Sequence, residues 1–392
     1  MMKITEQVVY VGVNDRTKHL FENLWPLPYG VSYNSYLVVD EKVALIDTVD
    51  AAFMPEYIEK IRSVLGERQP DYVIINHVEP DHSGALALLR THFPEAKLVG
   101  NKKTAEMITG FYGVWREDDL IVADGDELQL GTHCLNFRIV PMVHWPETMV
   151  TYESTERILF SGDVFGCYGA LNGAVMDKDM DTALYFKEME RYYSTILGKY
   201  AAPVEQALKK LSGLPIDIIC STHGPVWTEQ ADKAVGVYRR MAAGEAEHGL
   251  VICYGSMYGH TRRVAEAVAE GAAAAGMKKI IMHDVSLSPL SDILADIYRY
   301  DTLALGAPTY NGDVFPKMDD LLRRLAARVV KNRRMGCFGG FTWSSQAVKQ
   351  ILGYNEKMKM ELVGEPVEWK QGVSADTLQC ARSLGKLLAT RA

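Results

Sequence analysis

At 392 residues, 48% of them hydrophobic and 23% charged, the chain is long enough for two ordinary globular domains, each with its own core. A formal charge of −8 argues against an extended sheath of Lys and Arg, so a nucleic-acid backbone is excluded as the main partner. The stretch MMKITEQVVYVGVND lacks a signal-like apolar core and no segment approaches the roughly 18 apolar residues of a membrane span, so a cytoplasmic protein without membrane contact is expected.

From residue 7 to residue 220, short β-rich runs alternate with turns: QVVYVGV, SYLVVD, VALIDT, YVIIN, KLVG, CLNFRIV, TMVTYE, RILF and IDIIC. Helical patterns separate only some of them, which predicts a layered α+β sandwich. Hairpin turns are predicted at Asp40–Lys42 and at Asp124–Gly125, the latter an Asp-Gly pair suited to positive φ. After residue 249 the rhythm becomes strict strand–helix alternation, with strands LVICYG, KIIMHD, DTLALGA, RMGCFGGF and KMELVG and helices at 261–275, 291–298, 316–329, 345–353 and 375–390. This predicts a doubly wound parallel α/β sheet of five strands. The seam is AAGEAEHGL, giving domains 1–248 and 249–392. Cys134, Cys167, Cys220, Cys253, Cys337 and Cys380 are far apart and form no Cys-x-x-Cys pair, so free thiols are expected and no iron–sulfur or rubredoxin-like ligand set.

INHVEPDHSG, residues 75–84, crowds His77, Glu79, Asp81 and His82 into one loop directly after a strand, with Pro80 forcing a turn. Four neighbouring polar groups are costly to desolvate unless a cation neutralises them. His144 after FRIVPMV, Asp163 after RILFSG and His223 after IDIICST repeat the same placement just past a strand. Each alone could cap a turn or pack as a hydrogen-bonded core residue; together they point to a metal pair.

The order H-x-E-x-D-H, then H, D and H resembles the metallo-β-lactamase fold, and the variant with Glu79 resembles the flavodiiron proteins. The hydrolases of that fold usually place a second His where Glu79 stands. One more carboxylate makes the ligand set more anionic, which favours a harder, redox-active ion over zinc. The resemblance implies an N-terminal αββα sandwich in which His77, Glu79, His144 and Asp163 hold the iron nearer a flavin. Asp81, His82 and His223 would hold the second iron, with Asp163 bridging. HWPETM, SGDVFG and STHGPVW are also similar to the family. Tyr192 and Tyr193, in RYYSTILGKY, fall where the family places an aromatic near the metals, and Tyr193 is the expected catalytic one.

In the second domain YGSMYGHTRRVAEAV follows a strand and opens a helix, where hydroxyls and N–H groups can hold a phosphate without a Lys. GAPTYNGD and GGFTWSSQ follow strand ends on the same sheet edge. The three loops resemble those of flavodoxin. That likeness implies FMN, with Ser256, Met257, Tyr258, Gly259, His260 and Thr261 around its phosphate and Pro308, Thr309, Tyr310, Asn311, Gly339, Gly340, Phe341, Thr342 and Trp343 beside its ring. Thr342 and Ser345 depart from the family, which commonly has Gly before the tryptophan and often after the serine.

The resemblance implies an oxidoreductase that reduces O2 to water, NO to N2O, or both, at a non-haem diiron site. Electrons would pass through FMN from an external donor, rubredoxin or a reduced deazaflavin. Two ferrous ions and a reduced flavin together hold the four electrons that O2 requires. A head-to-tail homodimer or dimer of dimers would bring flavin and metals together. The rival readings are a dizinc hydrolase fused to a flavodoxin-like domain and an electron-carrier flavoprotein.

Overall fold

The structure, a computed structural model, describes residues 2–390. The chain divides into two compact units: the residues up to Tyr192 with Ala202–Arg239, and Tyr193–Ala201 with the chain from Arg240 onward. Contacts thus divide the chain nearer residue 240 than the seam suggests, and one short segment joins the later unit. Among the described residues no helix is long and apolar enough to cross a membrane.

The first unit contains two sheets. The strands of one run in the order Met2–Lys3, Val8–Tyr10, Tyr36–Val39, Val43–Ile46, Tyr72–Ile74, Lys97–Gly100 and Leu120–Ile121. Antiparallel at the start, it becomes parallel from Val43–Ile46 onward. Its centre is buried on both faces: every residue of Val43–Ile46 is inaccessible, as a sheet covered on two sides requires. The helix Met54–Leu65 contributes an apolar stripe of Met54, Tyr57, Ile58, Ile61 and Leu65, the three-to-four spacing of one helix face. Its stop is Gly66 at φ +59°. The other sheet runs Glu127–Gln129, Cys134–Ile139, Met149–Glu153, Ile158–Gly162 and Ile218–Ser221, with only its last pair parallel.

The Asp40–Lys42 hairpin forms, pairing Val39 with Val43. The Asp124–Gly125 turn forms but is not a hairpin. Leu120–Ile121 pairs with Lys97–Gly100 in the first sheet, whereas Glu127–Gln129 pairs with Cys134–Ile139 in the second. The turn is instead anchored across to the second sheet: Gly125 donates its N–H to the Phe137 carbonyl, and the Asp124 carboxylate accepts the Ile139 N–H at 2.8 Å.

In the second unit the parallel order is Ile280–Asp284, Glu247–Tyr254, Tyr300–Tyr310 and Arg334–Phe341, with two short strands sharing the last edge. The fifth strand is split: Glu361–Leu362 pairs with Arg334 and Met335, and Val367–Lys370 pairs with Phe338 to Phe341. Gly364 at φ +68° and the missing N–H of Pro366 interrupt the ladder between them. Five helices, His260–Ala274, Leu290–Arg299, Pro316–Ala326, Ala347–Met358 and Ala375–Ala389, fall within a few residues of the expected spans. The first and last of these cross at glycines, since a Cβ on Gly271 would lie 2.0 Å from the Arg382 carbonyl oxygen.

Candidate functional site

Both sheets of the first unit end on one side in loops that bear the candidate ligands. After Tyr72–Ile74 a loop carries His77 and Glu79, and Asp81 and His82 sit on the one-turn helix Pro80–Ser83. Pro80 opens that helix rather than forcing a turn, since its missing N–H is unneeded at the first helical position. The second sheet delivers His144, Asp163 and His223 from the loops after three of its strands. All seven side chains are buried. They form two groups, His77–Glu79–His144–Asp163 and Asp81–His82–His223, with the ligand atoms of each within 4.8 Å of one another.

Asp163 joins the groups. Its Oδ2 lies 3.3 Å from His144 Nε2 and 3.7 Å from His77 Nε2, and its Oδ1 lies 3.0 Å from His82 Nε2 and 3.8 Å from His223 Nε2. Glu79 Oε2 closes the first group at 3.0 Å from His144 and 3.4 Å from His77, and Asp81 Oδ2 closes the second at 3.4 Å from both His82 and His223. Both Asp81 oxygens, Asp163 Oδ2, His82 Nε2 and His223 Nε2 are buried without a hydrogen-bond partner. Carboxylate oxygens and ring nitrogens left without partners and converging in one buried pocket are what two metal ions would satisfy, so the residues present fit the diiron pair.

Neighbours orient the ligands. His77 Nδ1 lies 2.8 Å from Glu147 Oε1, which also accepts the Val78 N–H at 2.9 Å, and His223 Nδ1 donates to the Ser32 carbonyl at 2.7 Å. Both arrangements leave Nε2 facing the cluster. Thr222 donates its hydroxyl to Asp163 Oδ1 at 2.6 Å. Burial pulls the His82 imidazole down in pKa, but Asp81 and Asp163 outweigh it and push it up to about 9. His144 also reaches about 9, where Asp163 and Glu79 outweigh burial. Burial would raise Glu79 and Asp163, but the facing imidazoles hold both carboxyls below their ordinary range. Glu147 and Thr222 escaped the sequence reading, although Glu147 lies inside HWPETM.

The wall of the pocket is aromatic. Phe21, Tyr33 and Tyr192 lie 5.4, 5.8 and 5.7 Å from the His223 ring, and Trp145 lies 5.2 Å from that of His77. Of the tyrosine pair, Tyr192 therefore stands beside the cluster. Tyr193 turns toward Tyr298, ring centroids 6.1 Å apart, in place of the catalytic position expected for it. Adjacent helix residues project about 100° apart, so only one of two neighbours can face a given pocket. Burial and then Asp163 raise the Tyr192 phenol well above its ordinary value, so it remains protonated.

The second unit carries a groove at the strand ends, lined by Ser256, Met257, Tyr258, His260, Thr261, Pro308, Thr309, Gly340, Phe341, Thr342, Trp369 and Gln371. All three expected loops therefore meet. Gly259, at φ +90°, precedes the helix His260–Ala274 and donates its N–H to Ser256 Oγ, which also accepts the Arg262 N–H at 3.4 Å; as a glycine it offers no side-chain cap of its own, leaving the N–H groups of His260 and Thr261 for an anion. Thr309 Oγ1 is engaged elsewhere, accepting the N–H groups of Gln346 and Ala347. Tyr310 and Asn311 sit at the tip of a tight turn to Asp313–Val314, outside the lining. Gly339 faces Val348 and Trp343 is 83% exposed; neither is among the residues that line the groove. Ser345 donates its hydroxyl to Glu368. Trp369 and Gln371 were missed. The alternation in VEWK, with Val367 and Trp369 buried and Glu368 and Lys370 exposed, is the signal that places Trp369 on the inner side.

A nitric oxide reductase from Moorella thermoacetica is 30% identical over 392 residues, spanning 99% of this chain and 98% of its own length. The solved flavodiiron protein from Giardia intestinalis superposes with a TM-score of 0.92 at 28% identity, covering 98% of this chain and 95% of that one. The chain belongs to the flavodiiron protein family. The rubredoxin oxygen:oxidoreductase of Desulfovibrio gigas matches this flavodiiron protein with a TM-score of 0.95 at 27% identity, over 99% of this chain and 97% of that one. The model of the ODP family β-lactamases matches residues 31–224 and that of flavodoxin residues 252–384. The flavodoxin match and the helix N-terminus at its edge make the groove a fit for FMN.

Gly340 sets the depth of that groove. A Cβ there would lie 2.6 Å from the indole of Trp369, which is only 5% exposed. Gly340→Ala is expected to displace Trp369 into the flavin side at an overpacking cost of about 1–3 kcal/mol. The expected result is FMN binding weakened on the order of 10- to 100-fold, measured by quenching of flavin fluorescence.

Proposed function

We propose that this flavodiiron protein reduces O2 to water, NO to N2O, or both, at the buried seven-residue cluster, with electrons entering through FMN. The observation that carries the reading is Asp163, whose two oxygens reach two separate histidine groups in one cluster that has Glu79 in place of a histidine. His77, Glu79, His144 and Asp163 are proposed to hold one iron, and Asp81, His82 and His223 the other, with Asp163 shared. When bound, the irons would supply one-electron redox chemistry and adjacent open positions for small diatomic molecules.

The protein's own residues do the rest. Glu147 and the Ser32 carbonyl fix the His77 and His223 tautomers, and Thr222 holds the Asp163 carboxylate in its shared orientation. Phe21, Tyr33, Tyr192 and Trp145 exclude bulk water, which strengthens every charge interaction inside. Tyr192, protonated and beside His223, is the group proposed to hold a proton near the reacting molecule. In the second unit Ser256, Thr261 and the first turn of His260–Ala274 would bind the flavin phosphate, and Trp369 would bound the groove.

The donor is proposed to be a separate protein or cofactor, rubredoxin or a reduced deazaflavin, and the working assembly a head-to-tail homodimer or dimer of dimers in the cytoplasm. Removal of oxygen or nitric oxide is the corresponding role. The test is rapid mixing of the anaerobically reduced protein with O2 and with NO. Flavin reoxidation with release of water or N2O is expected, and about two irons per chain without zinc. Zinc at the cluster with no reoxidation by either gas would instead favour the hydrolase. Full turnover by a monomer at high dilution would remove the dimer.

A further inference from the structure

The end of the sandwich opposite the diiron cluster gathers another set of metal-ligating groups. Glu153 closes the strand Met149–Glu153 opposite Ile158, the first residue of the strand whose far end delivers Asp163. His133 directly precedes Cys134, where the strand leading toward His144 begins. His133, Glu153 and Glu156 bring one ligand atom each to within 4.8 Å of one another. His133 is 3% exposed and Glu153 is fully buried.

The imidazole of His133 is held in one orientation. Its Nδ1 lies 2.9 Å from Asp40 Oδ2, and the same oxygen accepts the His133 backbone N–H at 2.7 Å. A carboxylate there takes the ring proton on Nδ1 and leaves the lone pair on Nε2, the arrangement found behind metal-bound histidines. Nε2 points into the cluster, 3.6 Å from Glu156 Oε2, and is buried with no hydrogen-bond partner. A lone pair facing carboxylate oxygens is repulsive unless a cation lies between them. Among the described residues no Lys or Arg makes an ion pair with Asp40, Glu153 or Glu156.

We propose that His133, Glu153 and Glu156 form a third divalent-metal site, distinct from the diiron cluster and suited to zinc. One imidazole and two carboxylates with a water in the fourth position match the ligand types and number that zinc takes. The two carboxylates are preset. Glu153 accepts the N–H groups of Thr155 and Glu156 at 2.9 and 2.7 Å, and Glu156 Oε2 accepts the Thr5 hydroxyl at 2.6 Å. The Glu156 side chain is 27% exposed, which opens a path for the ion. The site would tie together four segments: the Thr5 loop, the Asp40 turn, the turn ending at His133 and the turn at Glu153–Glu156.

The test uses the iron-loaded protein, equilibrated anaerobically with zinc alone, desalted and crystallised. Anomalous diffraction at the zinc edge is expected to show a peak at bonding distance from His133 Nε2, with the iron-edge peaks unchanged. Glu156→Gln, on an outer turn, is expected to lose the zinc peak and to keep its irons and full gas-reducing turnover. His133→Gln should do the same, but its burial makes Glu156→Gln the decisive variant. No zinc peak in the wild type, a peak that survives Glu156→Gln, or nitrogen NMR shifts showing His133 protonated on both ring nitrogens in the presence of zinc would each overturn the proposal.

Discussion

Asp163→Asn is expected to abolish reduction of both gases while leaving the flavin in place and reducible. The change removes one negative charge and turns one oxygen into an N–H2 group. Thr222 donates to Oδ1, so the amide would keep its oxygen there, toward His82 and His223, and turn its N–H2 toward His77 and His144. Those two ring nitrogens would then face a donor where a shared anionic ligand had stood. A metal held by His77, Glu79 and His144, as proposed, would lose the carboxylate it shares with the other group. Loss of several kcal/mol of metal-centred stabilisation corresponds to a rate loss on the order of 1,000-fold or more. The measurements are anaerobic NO consumption, O2 consumption and iron per chain, set beside flavin absorbance before and after reduction. Retained turnover would mean that the cluster is not where the gases react.

Acid is expected to weaken metal retention steeply, and the sign follows from two histidines. In the metal-free protein His82 and His144 titrate near 9, raised from an ordinary 6.5 because carboxylates outweigh burial at both. Below that value each ring carries a proton that a metal ion must displace. Iron uptake at neutral pH should therefore release protons, and apparent affinity should fall about tenfold per pH unit for each proton displaced. Above pH 9 the dependence on these two groups flattens. The stability of the metal-free fold runs the other way. A raised folded pKa contributes stability that is complete below 6.5 and lost as pH rises through 9. Ferrous titrations in weak buffer at pH 7 and pH 10, with proton release followed by an indicator, check the first statement; thermal melts of the stripped protein check the second.

Much of the fold was legible because it rests on local pattern. The buried runs VALI and YVI, the stripe in Met54–Leu65 and the strand–helix alternation after residue 249 each specify an element without help from distant residues. The candidate ligands were legible as a set for a related reason: most lie just past a strand, and sheets present strand ends together, although Asp81 and His82 reach the cluster from the helix Pro80–Ser83. What was not legible depends on partners remote in sequence. The Asp124–Gly125 turn has hairpin chemistry, but pairing with Lys97–Gly100 and Cys134–Ile139 sends its two sides to different sheets. Tyr192 and Tyr193 are equivalent in composition, and only the direction of the helix separates them. Trp343 sits in a loop that resembles a flavin loop yet stands in solvent, while Trp369, from a strand outside every quoted motif, lines the groove. Asp40 lies 93 residues from His133, a distance no motif spans.

Each of the two candidate metal-binding groups draws on both sheets: His77, Glu79, Asp81 and His82 follow a strand of one, and His144, Asp163 and His223 follow strands of the other. The ions would therefore act as rivets through the seam of the sandwich as well as the seat of chemistry. Binding confined to the native state shifts the folding equilibrium by mass action, so iron scarcity would lower the lifetime of the folded chain along with its activity. A cell short of iron would then hold fewer copies of this protein rather than a reserve of idle ones.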